Sequence, residues 1–341
     1  MKYVPLSAKL FRDFRRRGSF MNKLNILYFT IDWSSFTYKP DHYFKLELEK
    51  LPDVHVRFVK GEYTVGKLGG YLPDILSQLD FVPDFIYLDD FESIRGVYGL
   101  PRGLNEVNIP KGVLFHDVYR VRDDFKNFVK ENSLDLVLAH YRESFLTYFP
   151  EFHDRFRWLP NHAYEPVFHK YGLKRRINYL MMGKINGAYP LRSKIYKKMK
   201  GIDGFVSHGH PGYKWFSKRD SKTKFLDENY AMEISRAKIF LTCGSIYNFA
   251  VGKYFEVPAC GTLLLTSDFS ELRDLGFIHK ETFVKIDKHN FLAKAKYYLR
   301  HRDERNEIRR KGYALVQSRH TTSIRVREFV DELWKFTGKT R

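Results

Sequence analysis

The sequence contains few cysteines. Only Cys243 and Cys260 occur among its 341 residues, which excludes a disulfide framework and a zinc site made of four cysteines. The hydrophobic fraction of 43% and the charged fraction of 29% are ordinary for a globular protein. Low cysteine content is typical of a reducing compartment, and we expect a cytoplasmic location.

Long apolar runs are also absent. None approaches the roughly 20 residues that cross a bilayer, and the basic residues 1–21 lack the following apolar stretch of a secretory signal peptide. We interpret residues 1–21 as a basic N-terminal extension. Its cations are interleaved with Leu10, Phe11 and Phe14, which suits peripheral contact with an anionic membrane such as the inner membrane surface. A frayed terminus is the alternative.

The sequence is strongly basic. It has 59 Lys and Arg against 40 Asp and Glu, a formal net charge of +19. Such an excess indicates an anionic partner and says nothing about the fold. Residues 170–200 contain ten Lys or Arg and no Asp or Glu. This stretch is either a solvated basic helix face or a contact for an anionic acceptor such as a glycan, a teichoic-like polymer or DNA.

The order of apolar runs predicts an α/β protein. Short, nearly continuous apolar runs alternate with stretches of helical spacing, as in parallel sheets whose strands are buried on both faces. The first series of runs comprises residues 24–31, 54–59, 85–88, 112–115, 134–139 and 156–159. The second series comprises residues 177–182, 204–207, 238–243, 262–266 and 282–286.

Prolines and a glycine interrupt this pattern within residues 160–176, where we place a hinge. We therefore predict a first Rossmann-like domain over residues 22–165 and a second over residues 166–320, facing each other across a cleft. Residues 321–341 should form a closing unit whose amphipathic helix, at residues 323–336, is capped by Thr321 or Thr322. Ligands of open α/β sheets bind beyond the carboxyl ends of the strands, so the candidate residues are those that follow each run.

Residues 243–268 are the most informative segment. They predict a strand, a glycine turn, a short helix, a glycine and a second strand. Gly244 and Gly252 bracket a loop whose backbone is free to approach a phosphate. Glu256 falls on the short helix, where its carboxylate can accept two hydrogen bonds from a vicinal diol such as that of a ribose.

Four segments resemble, in order, those of GT-B glycosyltransferases of the CgeB-like (spore-maturation-protein-like) family. They are LPNHAYEPVF at 159–168, YLMMGKINGAYPLR at 179–192, KYFEVPACGTLLLTSD at 253–268 and RHTTSIRV at 319–326. The resemblance implies transfer of a hexosyl group from a nucleotide-diphosphate sugar without a metal cofactor. A UDP-sugar is the donor that we expect first. It also implies that the closing helix packs back on the first domain.

This resemblance assigns residues to the donor site. Glu256 would hold the ribose, while Lys184 and Arg192 would neutralise the diphosphate. The expected donor site comprises Asn161, Gly183, Lys184, Arg192, His208, Asn248, Lys253, Tyr254 and Glu256. Each has a structural alternative: a solvated cation, a surface carboxylate, or a side chain that satisfies the backbone of its loop.

One position departs from the pattern. Many retaining GT-B enzymes carry Glu-x7-Glu, with the first glutamate facing the donor sugar, whereas the residue eight positions before Glu256 is Asn248. An amide can still bind sugar hydroxyls but carries no charge. Retention and inversion of the anomeric centre therefore both stay open.

The candidate catalytic residues are His116 and Asp117, which directly follow the run at 112–115. Either could take the proton of the acceptor hydroxyl in an inverting mechanism, or position a substrate in a retaining one. Helix capping by Asp117 is the alternative. No third ligand stands near the pair His208 and His210, so we predict no metal site.

Two other functions remain open at this point. One is a glycosyltransferase that acts on modified DNA bases, and the other is a non-catalytic basic nucleic-acid-binding protein on a GT-B scaffold. The basic charge of the chain would suit both.

Overall fold

A computed structural model of the chain describes residues 22–66 and 68–341. The predicted basic extension at residues 1–21 lies outside the described residues. Within the described ranges the chain forms two parallel sheets, one after the other along the sequence. No helix in these ranges has both the length and the apolarity needed to cross a bilayer.

The first sheet occupies the N-terminal half of the described chain. Its strands are β1 (Leu24–Phe29), β2 (Val54–Val59), β3 (Phe85–Leu88), β4 (Lys111–Leu114), β5 (Leu136–Ala139) and β6 (Phe156–Trp158). Their spatial order is β2-β1-β3-β4-β5-β6, and the pairs are parallel. The connecting helices are α1 (Pro40–Leu48), α2 (Leu72–Ser77), α3 (Phe91–Val97), α4 (Arg122–Glu131) and α5 (Arg142–Tyr148), with short 3₁₀ turns at Leu104–Glu106 and Pro150–Arg155.

The second sheet follows after an irregular connection. Its strands are β7 (Ile177–Met182), β8 (Phe205–His208), β9 (Ala237–Leu241), β10 (Leu263–Thr266) and β11 (Val284–Lys285), in the parallel order β11-β10-β9-β7-β8. Its helices are α6 (Pro190–Met199), α7 (Lys218–Thr223), α8 (Asp227–Ser235), α9 (Lys253–Ala259), α10 (Glu271–Asp274), α11 (Phe291–Arg300) and α12 (Arg302–Arg319). The last helix is α13 (Thr322–Thr337).

Burial on both faces explains the nearly continuous apolar strands. Every residue of β3, β4, β5 and β10 is buried. In β1, Leu27 and Phe29 pack toward α3, α4 and α5, whereas Ile26 and Tyr28 pack toward α1 and α13. Because helices cover both faces, polar residues in these strands would lose their contact with water without gaining partners.

Helix α13 belongs to the first domain in space. It begins after Thr321, whose hydroxyl accepts a hydrogen bond from the Ile324 N–H, so Thr321 is the N-cap. Phe329 packs edge-on against Phe44 of α1, with ring centroids 5.4 Å apart. Burying each large apolar side chain of such a stripe contributes roughly 1.5–3 kcal/mol. The apolar stripe of α13 comprises Val326, Phe329, Val330, Leu333 and Trp334.

Two chain segments connect the domains. Residues 159–176 lead from β6 to β7, and residues 320–321 lead from α12 to α13. The segments are hydrogen bonded to each other, because the Ala163 N–H donates to His320 O at 2.9 Å and the Thr322 N–H donates to Ala163 O at 3.0 Å. The predicted division at residues 165–166 falls inside the first segment.

The predicted fold class is confirmed. The chain forms two Rossmann-like α/β domains that face each other, and its terminal helix returns to the first. Strands predicted at 54–59, 85–88 and 177–182 have those bounds in the structure.

Candidate active site in the interdomain cleft

The cleft between the domains contains a cavity of about 700 Å³. Segments that follow parallel strands line it, which is where open α/β sheets place their ligands. In the first domain these segments lie after β1, β3 and β4 and comprise residues 33–43, 90–93 and 116–120. In the second domain they lie after β7, β8 and β9 and comprise residues 183–192, 209–213 and 245–256.

Arg192 forms a fixed cation in the second-domain wall. It lies in the first turns of α6 and is only 3% exposed. Its guanidinium donates to Thr242 Oγ1 at 3.0 Å and to Cys243 O at 2.9 Å, and its Cζ lies 3.7 Å from the centroid of the Tyr189 ring. These contacts hold the charge in one orientation at the cavity wall, as electrostatic stabilisation of a developing anion requires.

Gly183 brings Arg192 and Lys253 close to one loop. Its φ is 125°, and a Cβ at this position would lie 3.2 Å from Lys253 Cε and 3.4 Å from Arg192 Nη1. Burial, together with the charge of Arg192, lowers the pKa of Lys253 to about 8. Lys184, on the same loop, also lines the cavity, and its Nζ lies 4.3 Å from the centroid of the Tyr213 ring.

Glu256 lies in the same cavity. It is 8% exposed and accepts a hydrogen bond from the Tyr230 hydroxyl at 3.0 Å through Oε2. Its other oxygen rests against Gly252, where a Cβ would come within 2.9 Å of it. Burial raises the pKa of Glu256, whereas Lys253 and Tyr230 counteract this effect. The carboxylate thus retains acceptor capacity toward the cavity.

The first-domain wall carries His116 and Asp117 directly beyond β4. Both line the cavity. His116 Nε2 lies 3.4 Å from Oδ1 of Asp41, which comes from the first turn of α1. Asp117 Oδ2 lies 3.6 Å from Arg120 Nη1. The structure therefore brings the predicted catalytic pair to the cavity from the domain opposite Glu256.

The charge state of His116 bears on its role. Burial by itself lowers the pKa of its imidazole, but the carboxylates of Asp41 and Asp90 outweigh burial and raise the pKa to about 10. At neutral pH the ring therefore holds a proton when no cation is bound beside it. In that state His116 can donate a hydrogen bond but cannot accept the proton of an acceptor hydroxyl.

Backbone pairing across the cleft holds the two domains together. The Thr37 N–H donates to Lys214 O at 3.0 Å, and the Phe216 N–H donates to Ser35 O at 2.7 Å. Lys39 and Asp227 form an ion pair between the domains. The segments after β1 and β8 thus form a short antiparallel contact over one side of the cavity.

Aromatic stacking joins the domains on another side. Phe249, in the loop after β9, stacks on Tyr141 with ring centroids 3.8 Å apart and planes within 1°. Tyr247 stacks on Tyr119 at 4.2 Å. Phe249 is 5% exposed and belongs to the core of the first domain. The loop at residues 245–252 therefore both lines the cavity and anchors one domain in the other.

Two residues predicted for the donor site lie elsewhere. Asn248 is exposed, has a φ of 56°, and among the described residues is not part of the cavity lining. Asparagine tolerates this left-handed conformation better than most residues. Tyr254 is fully buried, and its hydroxyl accepts from Thr266 at 2.7 Å and donates to Ser267 O at 3.1 Å. Its contacts place it in the core of the second domain.

Asn161 and His208 also lie behind the lining of the described cavity. Asn161 is 1% exposed, accepts a hydrogen bond from Tyr38, and donates to Ala250 O at 3.2 Å, so it bridges the domains. His208 Nε2 lies 2.9 Å from Glu233. His210, two residues further on, lines the cavity in its place.

Sequence reasoning missed two residues that shape the site. Tyr230 orients Glu256, and Asp41 contacts His116. Asp41 carried a usable signal, because it opens the helix that follows the first strand, and residues at that edge of the sheet are candidates. Tyr230 carried none, since α8 meets α9 only in the folded protein.

Comparisons with known proteins agree with this architecture. Residues 191–331 match a family model described as glycosyl transferase-like. The chain is similar to a sucrose-phosphate synthase from Thermosynechococcus elongatus, with a TM-score of 0.64, 14% identity, and coverage of 93% of this chain and 100% of that chain. The fold is GT-B.

Two further structures share the GT-B fold. A glycosyltransferase from Rickettsia africae gives a TM-score of 0.63 at 12% identity and covers 94% of this chain and 100% of that one. HepE from Anabaena, solved with UDP-glucose, gives 0.59 at 10% identity and covers 91% and 99%. No curated protein sequence matches the chain.

Proposed function

We propose that this protein is a glycosyltransferase that moves a hexosyl group from a UDP-sugar to an acceptor hydroxyl. The observation that carries the proposal is the convergence of Arg192, Lys253 and Glu256 in one cavity opposite His116 and Asp117. The GT-B fold supports it, as does the UDP-glucose bound to Anabaena HepE. The four segments that resemble CgeB-like enzymes support membership of that family.

The donor would occupy the second-domain side of the cavity. Glu256 would accept hydrogen bonds from the ribose hydroxyls, and Arg192, Lys253 and Lys184 would face the diphosphate. Cleavage of the sugar–phosphate bond leaves an additional negative charge on the diphosphate, and three cations are sufficient to stabilise it. We therefore propose that the diphosphate needs no metal ion.

The acceptor would approach from the first domain. Asp117 lines the cavity and would accept the proton of the attacking hydroxyl. The positive charge of His116 would lie beside Asp117. It would stabilise the hydroxyl oxygen of the acceptor as that oxygen loses its proton. Contacts between the domains, such as Thr37 with Lys214, would limit entry of water that hydrolyses the donor.

Donor binding can be tested by thermal unfolding. We expect UDP and a UDP-sugar at 100 times Kd to stabilise the wild type by about 2.7 kcal/mol, and Glu256→Gln to reduce this effect strongly. The matched control is Glu233→Gln, since Glu233 is also 8% exposed but pairs with His208 and Arg236 outside the cavity lining. Equal shifts in both variants would contradict the role of Glu256.

Catalysis can be tested separately from binding. Loss of a general base typically lowers the rate about 10²–10⁴-fold, so Asp117→Asn should lower kcat by this factor and leave UDP binding unchanged. Asp123→Asn, on the exposed surface of α4, is the control. A normal kcat in Asp117→Asn would exclude Asp117 as the base.

We further propose that the acceptor is a glycan or another polymer that carries negative charge. Part of the basic stretch has structural roles: Arg175 donates to Gly261 O at 2.6 Å, and Lys170 lies 3.4 Å from the Tyr313 ring centroid. Helix α6, which carries Arg192, also has exposed cations. They are Lys194, Lys197 and Lys198.

Charge reversal on α6 tests the acceptor class. Changing Lys194, Lys197 and Lys198 to Glu should raise KM for an anionic glycan and leave UDP binding unchanged. Exposed lysines of the same domain provide the matched control: Lys280, Lys288 and Lys296. Tight duplex DNA binding with steep salt dependence, together with no UDP binding, would instead support a nucleic-acid-binding protein. Transfer to modified bases in DNA would assign DNA as the acceptor.

A further inference from the structure

Three potential metal ligands lie close together on the first-domain side of the cleft. Asp41 comes from the first turn of α1, His116 follows β4, and His140 follows β5. One ligand atom from each lies within 4.8 Å of the others. β4 and β5 are neighbours in the sheet, so the residues just beyond them are close, and the two imidazole centroids are 4.7 Å apart.

His140 is oriented like a metal ligand. Its Nδ1 lies 2.6 Å from Leu159 O, and a carbonyl only accepts, so Nδ1 carries the hydrogen. Nε2 therefore presents a lone pair. This atom is buried and has no hydrogen-bond partner among the described residues. A backbone carbonyl that fixes the tautomer is the usual outer partner of a metal-binding histidine.

His116 meets Asp41 at the distance of an ion pair. Its Nε2 is buried without a hydrogen bond in the described part of the chain, and the nearest carboxylate oxygen, Asp41 Oδ1, is 3.4 Å away. This separation exceeds the usual range for a hydrogen bond between charged groups. It agrees with the spacing of about 3.3 Å between two ligands of one tetrahedral ion with bonds of about 2.05 Å.

The charge around these atoms favours a cation. Asp41, Asp90 and Asp117 all act on His116 electrostatically. Two cations oppose them: Lys45 acts on Asp41 but is bound to Thr30 Oγ1 at 2.5 Å and Ile31 O at 2.9 Å, and Arg325 acts on His140. One unpartnered imidazole nitrogen on His140, a second on His116 that faces only Asp41, and the Asp41 carboxylate form a donor set suited to a divalent ion of the zinc type.

We propose that Asp41, His116 and His140 bind a divalent transition-metal ion, with zinc as the chemical type. Asp41 and His116 line the cavity, so a fourth coordination position would open toward the acceptor. The ion would replace the proton on His116 as the positive charge of this wall. It is separate from the diphosphate cations of the second domain, and the site stands on its geometry whether or not the proposed function holds.

Cobalt provides a direct test, because tetrahedral Co²⁺ has visible absorption bands. Protein stripped with a chelator should bind one equivalent of Co²⁺, and Zn²⁺ should displace it. Zn²⁺ at 100 times Kd should raise the melting temperature by about 4 °C. Both effects should be lost in His140→Asn, whose amide can still donate to Leu159 O, and in Asp41→Asn. They should persist in His208→Asn, which changes a histidine outside the cluster.

The outcomes separate this proposal from the donor site. The UDP-induced shift in melting temperature is measured on the same samples, and its retention in His140→Asn shows that the variant is folded. No bands in the wild type, or equal bands in the wild type and both cluster variants, would overturn the metal site. An unchanged melting temperature with Zn²⁺ would mean that the proton on His116 is the only positive charge that Asp41 binds there. This result would also overturn the metal site.

Discussion

Lys253 offers a quantitative test of the donor site. Burial and Arg192 lower its pKa to about 8, so at pH 9 only about a tenth of the free protein carries a proton there. A bound diphosphate would restore the pKa to near the ordinary 10.5, at which about 97% is protonated at pH 9. UDP binding at pH 9 should therefore take up about 0.9 proton per site, and only about 0.1 at pH 7.

The same linkage predicts how affinity depends on pH. Because the bound form holds the proton and the free form loses it above pH 8, the affinity for UDP should fall about tenfold between pH 7 and pH 9. The terminal phosphate of UDP contributes little, since it ionises near pH 6. Isothermal titration calorimetry in two buffers with different enthalpies of ionisation measures the uptake directly.

Lys253→Arg is the decisive control. Arginine keeps its charge at pH 9, so this variant should bind UDP without proton uptake and without the fall in affinity. Lys253→Met should bind weakly at both pH values. Uptake below about 0.3 proton in the wild type, or the same uptake in Lys253→Arg, would refute the assignment of Lys253 to the diphosphate.

Three further predictions concern the junction of the domains. Phe249→Ala, which removes the ring stacked on Tyr141, should lower the free energy of unfolding by about 3 kcal/mol in urea; a loss under 1 kcal/mol would mean that the loop is not anchored. Asp227→Asn removes the ion pair with Lys39 and should increase the radius of gyration in X-ray scattering without donor, whereas an unchanged radius would show that this pair does not hold the cleft closed. Phe329→Ala should cost about 3–5 kcal/mol of stability but leave the Kd for UDP as in the wild type, and a weaker Kd would place α13 in the donor site.

Strand positions could be predicted where the apolar runs are bounded by polar residues, as in β2, β3 and β7. The prediction was less accurate at the sheet edge. The run at 282–286 forms only the two-residue β11, because it pairs with β10 alone, at Val284 and Lys285. The length of an edge strand depends on how many residues of the neighbouring strand are in position to pair with it, and a local sequence pattern does not contain that information.

Helical geometry explains which of the residues predicted for the donor site line the cavity. Lys253 and Glu256 are three residues apart on α9 and share one face, whereas Tyr254 is rotated away and enters the core. Asn248 precedes α9, so its spacing of eight residues from Glu256 has no helical meaning. Asp41 and His140 come close only because of the order of the strands in the sheet, and that order could not be predicted from the sequence.

The hydrogen-bonded pair of segments at Ala163 and His320 has a consequence for how the molecule is assembled. In terms of chain connectivity, the second domain is an insertion in the first, since the polypeptide leaves one body and comes back to complete it with α13. A body tethered at two adjacent points can swing about the line through them but resists twisting. Expressing the halves separately would therefore require residues 322–337 to be grafted onto the N-terminal fragment.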